Sequence, residues 1–211
     1  MQNTWPLVLG TVLVGAVLYF LVLGFRQARR ARQLVHQALA MGFRFDKRDF
    51  SDLPFRLGDF VLFGIGHSPR VRNVTTGRVD GWAFRTFDFH FECGHGTARE
   101  ARSYVVAVFE VERDIGQFLL WSEEDPGALP VAMQAGARTM ECWSCLGGGP
   151  LADALADELD DFGRGGGSIE ARRQVLLLAC PLRQGGVNMP VIKRAAMVLG
   201  GLFAPEATEA S

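Results

Sequence analysis

From Leu7 to Phe25 the chain carries nineteen consecutive residues without a charge, rich in Leu and Val. As a helix rising 1.5 Å per residue this run extends roughly 28 Å, close to the hydrocarbon thickness of a bilayer. Trp5 and Pro6 stand at its start, where an interfacial aromatic and a first-turn proline are expected. A cleaved signal peptide would need a basic leader, a shorter apolar stretch and small residues at a cleavage site. Met1–Pro6 has no basic side chain and the run ends in Phe25-Arg26, so the sequence reads as an anchor. Arg26, Arg29, Arg30 and Arg32 follow directly. The positive-inside rule therefore puts residues 1–6 outside the cell inner membrane and the bulk of the chain in the cytosol.

The resulting division is an extracytoplasmic stretch 1–6, a transmembrane helix 7–25, a basic juxtamembrane helix 26–42, a cytosolic α+β domain 43–203 and a disordered tail 204–211. Of 211 residues about 185 remain for the soluble part, which suits one domain. A net charge of −1 points to no nucleic acid. The juxtamembrane arginines suit anionic lipid headgroups, although fixing topology is a sufficient role for them. Membrane lipid and another membrane protein or complex are the expected partners, and self-association is not legible.

Within the soluble part, Leu34, Ala38 and Met41 repeat at helical spacing and Gly42 ends that helix. Phe60–Ile65 reads as a short apolar strand. Val71–Val79 and Trp82–Glu92 flank Asp80-Gly81, a dipeptide suited to a type I′ hairpin. Phe87, Phe89 and Phe91 alternate with polar residues, whereas Trp82 and Phe84 have the opposite parity. A bulge near Arg85-Thr86 would bring all five aromatics to one face. Ser103–Glu112 is a central strand, Gln117–Ser122 another, and Met140–Leu146 a weaker one. Glu123–Arg138 holds turns and a short helix. Pro150–Phe162 is an amphipathic helix with Leu151, Leu155, Leu159 and Phe162 inward. Gly163–Ser168 is a flexible connection, Arg172–Cys180 a strand and Met189–Phe203 a final helix. The fold class is α+β: an N-terminal transmembrane helix, then a mostly antiparallel sheet with helices, ending in a C-terminal helix.

The stretch Asn73-Val74, Gly77, Gly81 and Phe87-Asp88-Phe89-x-Phe91 resembles a family of uncharacterised bacterial single-span membrane-anchored proteins. The likeness extends loosely from Phe43 to the last helix. It departs at Phe118-Leu-Leu-Trp121, where a Leu-Pro-x-Phe element would be expected. The resemblance implies the anchored α+β architecture and supplies no activity.

Cys142-Trp-Ser-Cys145 is the sharpest chemical signal. A C-x-x-C pair is half of a zinc site or a redox pair. Cys93 and His95 are the available companions for zinc, a Cys₃His set. The C-x-H spacing chelates poorly, and Gly147–Gly149 follow the pair where a redox motif would open a helix. No cofactor is expected on balance, with zinc the alternative. The glycine runs lack a Gly-Lys-Ser/Thr ending, so neither is a phosphate loop. No carboxylate or nucleophile stands at a diagnostic spacing from His36, His67, His90 or His95. Asp88, between two phenylalanines, either faces water or pairs with an arginine on the next strand.

These features favour a non-enzymatic accessory, assembly or scaffold subunit on a larger membrane complex. A lipid-surface module of pleckstrin-homology-like shape is the first alternative, and a metal or thiol-redox protein the second.

Overall fold

The computed structural model describes residues 5–49, 51–124, 136–184 and 186–203, with backbone alone at 5–8, 23, 26, 27 and 97. The expected short helix within 123–138 falls mostly outside the described residues, as does the tail 204–211. The chain divides into two compact units, Met1–Phe45 and Asp46–Ser211.

In the first unit α1 (Trp5–Ala40) is one uninterrupted helix. Its end is a Schellman motif, with Phe43 N–H donating to Ala38 O at 2.8 Å and Gly42 N–H to Leu39 O at 3.1 Å. Gly42 takes φ +71°, the left-handed conformation that closes such a helix. The described large apolar side chains between Leu9 and Phe25 are 52% to 77% exposed. Among the described residues, no helix is long and apolar enough to cross a membrane.

The second unit is built on a nine-stranded sheet in the order β1-β2-β3-β4-β9-β8-β5-β7-β6. Its edge strand β1 (Arg44–Arg48), not foreseen from sequence, begins just before the unit does. The Asp80-Gly81 hairpin forms as expected between β2 (His67–Val79) and β3 (Trp82–Cys93). Both turn residues have positive φ, 49° and 85°, as a type I′ turn requires. β4 (Glu100–Glu110) is a central strand between β3 and β9.

Four readings of the sequence are corrected. Phe60–Ile65 is not a strand. It holds α3 (Val61–Gly64), which with α2 (Leu53–Arg56) presses Leu53, Leu57, Phe60 and Leu62 onto Phe87, Phe89, Phe91, Tyr104 and Val106. The bulge lies in β2, not at Arg85-Thr86. β3 pairs with β4 in unbroken register, while the β2 register shifts between Arg72 and Thr75. Trp82 and Phe84 therefore keep the opposite face from Phe87, Phe89 and Phe91. Arg172–Cys180 is the turn and second half of a hairpin, β8 (Ser168–Arg172) and β9 (Val175–Pro181). Finally, Pro150–Phe162 breaks at Leu159 into α4 (Pro150–Glu158) and α5 (Asp160–Arg164), although its inward residues are all buried.

The other sheet face is covered by α4, α5 and α6 (Met189–Phe203). Trp143, on β7 (Trp143–Gly147), anchors it by donating from Nε1 to Ala156 O at 3.2 Å and packing its ring on Phe162. Helices thus lie against both faces, in place of the pleckstrin-homology-like sheet closed by one C-terminal helix. β5 (Gln117–Ser122) and the short β6 (Arg138–Met140) complete the sheet, and β6 and β7 resolve the weak Met140–Leu146 signal into a hairpin.

Candidate functional site

Along β8 the side chains alternate, so Ile169 and Ala171 face α4–α6 while Ser168, Glu170 and Arg172 face the α2–α3 side. Glu170 is consequently a carboxylate in an apolar layer, 4% exposed. Its Oε2 accepts the Val61 N–H at 2.8 Å, one of the first-turn donors that a helix leaves unpaired. Its Oε1 accepts Arg172 Nε at 2.6 Å, and that guanidinium stands 5.9 Å over the Phe60 ring. Burial pushes the Glu170 carboxyl above its ordinary range, against the opposing pull of Arg172 and the Val61 N–H. Beside it lies a small cavity of about 20 Å³, lined by Leu62, Leu119, Trp121 and Leu177 with Ser122 and Ser168 at its polar edge. A space of that size holds about one water.

A second polar group lies on the helix-covered face, at the β2–β3–β4 end. The register sets Arg70 beside His90 and His90 beside Ser103, one row across three strands. His90 Nδ1 lies 2.7 Å from Ser103 Oγ. In the next row Arg72 pairs with Asp88, which is 4% exposed and accepts Asn73 Nδ2 at 2.8 Å. The polar face of β3 with Asp88 and His90 is legible in the sequence, whereas its continuation to Arg70 and Ser103 is not, and neither is Glu170. Asp88 is buried and accepts a hydrogen bond from the asparagine of its own hairpin, so it does not face water.

The cysteine candidates do not converge. Cys142 occupies the two-residue turn between β6 and β7, its Sγ 3.1 Å from Asp160 Oδ1. Asp160 also accepts Arg164 Nε at 2.8 Å, and Arg164 together with Cys142 holds its carboxyl below the usual range. Burial and the Asp160 carboxylate push the Cys142 thiol up to about 11, the opposite of what a redox or metal-binding thiolate needs. Cys145 is buried, its Sγ 3.6 Å from Gly147 O. Cys93 ends β3 and His95 follows it, ring to ring with His67 at 5.4 Å. Four strands separate β3 from β7, roughly 24 Å at sheet spacing. Cys93 and His95 therefore cannot complete a Cys₃His set with Cys142 and Cys145. Among the described residues, no three His, Cys, Asp or Glu side chains group so as to hold a metal.

Of the juxtamembrane arginines, Arg29 and Arg32 are exposed and Arg30 half-buried, and the side chain of Arg26 lies outside the described residues. No protein-family model matches the chain, and no curated protein matches it. Among solved structures the fold is similar to the crystal structure of the mycobacterial trehalose monomycolate transport factor A, TtfA. The TM-score is 0.48 at 12% identity, over 80% of this chain and 93% of that one. Likeness at this level says nothing about a shared activity.

Proposed function

We propose that the chain is a single-span inner-membrane protein whose α+β unit serves as a non-enzymatic accessory or assembly subunit of a larger membrane complex. The observation that carries the anchor is the exposure of apolar side chains around the whole circumference of α1. Val12, Leu13 and Val14 are consecutive, as are Val17 to Val22, and all are exposed. A helix apolar on every side is stable only inside a large core or in lipid. The arginines at 29, 30 and 32 orient it with the α+β unit on the cytosolic side.

The accessory role is supported by the occupation of the buried polar groups in structural tasks. Glu170 ties α3 to the sheet, Asp88 secures the β2 bulge, and the Cys142 thiol is held protonated against Asp160. The test is purification of tagged full-length chain from its native membrane, first washed with alkaline carbonate and then solubilised in mild detergent. Retention through the wash with a stoichiometric membrane-protein partner is expected. Extraction by carbonate would remove the anchor, and a chain that purifies alone and monodisperse would remove the accessory role.

A further inference from the structure

Arg70 and Arg72, two of the exposed arginines of β2, owe their direction to a single extra residue. Near the Asp80-Gly81 turn Val79 pairs with Trp82 and Thr75 with Thr86. Continued outward, that register would set Val71 beside His90 and turn Arg70 and Arg72 to the face of Phe89 and Phe91. The bulge at Asn73, in the left-handed conformation at φ 54°, moves the register by one. Beyond it Val71 joins Phe89 in the core, while Arg72 and Arg70 pass to the face of Asp88, His90 and Ser103.

On that face positive charge exceeds negative among the described residues: Arg70 and Arg72 stand against the single carboxylate of Asp88. Asp88, the one acid in the two rows, is buried and bonded to Asn73, and Glu92, further along β3, is ion-paired with Arg99. Arg70 and Arg72 are exposed and form no ion pair among the described residues. Neighbouring strands lie about 4.8 Å apart, and alternate residues of one strand about 6.8 Å, so the four side chains reach one tetrahedral anion. We propose that Arg70, Arg72, His90 and Ser103 bind a phosphate-class anion. The guanidinium groups supply paired donors matched to phosphate oxygens. When His90 is protonated, Nδ1 donates to Ser103 Oγ, and the serine hydroxyl proton turns to the anion. A lipid headgroup and a soluble phosphate monoester present the same chemistry to this row.

Imidazole NMR of the full chain in dodecyl maltoside micelles, which contain no phosphate, tests the site. The His90 signal is identified by its loss in His90→Asn. The charged groups around it are Arg70, Arg72 and His67 from β2, Asp88 and Glu92 from β3, and Arg183 from the 3-10 turn Leu182–Gln184 packed on β4. Millimolar inorganic phosphate is expected to raise the His90 titration midpoint saturably, by roughly half a unit or more. The double variant Arg70→Ala/Arg72→Ala should abolish that rise and leave the amide spectrum of the fold unchanged. A rise matched by chloride at equal ionic strength, or one that survives the double variant, overturns the site. Phosphatidic acid added to the micelles separates the sources. Response to it alone assigns a headgroup, response to inorganic phosphate alone assigns a soluble phosphoryl compound, and response to both assigns a site open to either. Silence from both ends the proposal.

Discussion

At Cys142 a partly buried thiol meets a carboxylate already committed to Arg164. With the thiol pushed from 9.0 to about 11, its thiolate fraction at pH 8 falls roughly 100-fold below that of an ordinary cysteine. Alkylation by iodoacetamide, followed by peptide mass spectrometry, should be slower at Cys142 by that order, and Asp160→Asn should accelerate it. Glu170 makes the complementary case. Its carboxyl is raised above 4.5 in the folded chain by burial, so the folded state binds its proton more tightly than the unfolded state. The stability associated with that proton is therefore full at low pH. It is lost as pH rises from about 4.5 through the folded-state value. Urea unfolding of the wild type and of Glu170→Gln, compared across pH 4 to 8, should show the wild type losing ground relative to the variant as pH rises. Parallel curves would mean that Arg172 and the Val61 N–H cancel the effect of burial. Nothing in Ser168-Ile-Glu-Ala-Arg172 announced this group, because alternation on a strand usually delivers a Glu to solvent. It is buried by α3, a segment 109 residues away in sequence.

Elements were legible where their local chemistry was conventional. The β2–β3 hairpin followed from Asp80-Gly81, the end of α1 from Gly42, and α6 from the apolar run Met189–Phe203. The hairpins missed or merged turn at Arg173 and Glu141, each with φ near +50° without being glycine, so no turn residue marked them. Phe60–Ile65 was lost because a short apolar run reads alike as a buried strand or a buried helical turn. The anion row was hidden for a related reason, since counting from the turn gives the wrong partner for His90 until the Asn73 bulge is known. That bulge is testable. Asn73→Gly should lose only the bond to Asp88, whereas Asn73→Ala should add the left-handed penalty and cost about 2–3 kcal/mol in thermal or urea unfolding. The packing of α5 on β7 depends on a missing side chain. A Cβ at Gly163 would lie 2.6 Å from the Trp143 ring and 2.7 Å from Cys142 Sγ. Gly163→Ala should therefore cost about 1–3 kcal/mol by overpacking. Gly165→Ala, whose nearest atoms are the Asp161 and Phe162 carbonyl oxygens at 3.5 Å, should be close to neutral in the same urea titration.

For the whole molecule the proposed anchor turns on the free energy that α1 would have in lipid. The run Leu7–Phe25 contains thirteen Leu, Val and Phe residues. On the insertion scale each contributes about −0.3 to −0.6 kcal/mol, a total on the order of −6, and one arginine near the centre costs roughly 3. Val17→Arg alone should therefore still insert. Leu13→Arg combined with Val17→Arg places both charges in the middle third and brings the balance to zero or above. The measurement is the fraction of chain that resists alkaline carbonate, with Gln37→Arg, beyond the run, as the control for added charge. A graded series, with wild type, control and single variant retained and the double variant released, fits partition into hydrocarbon. Release of the single variant would mean a margin far thinner than the composition gives. Retention of the double variant would mean that α1 is held by protein rather than lipid, and the partner sought by co-purification would then have to cover the helix itself.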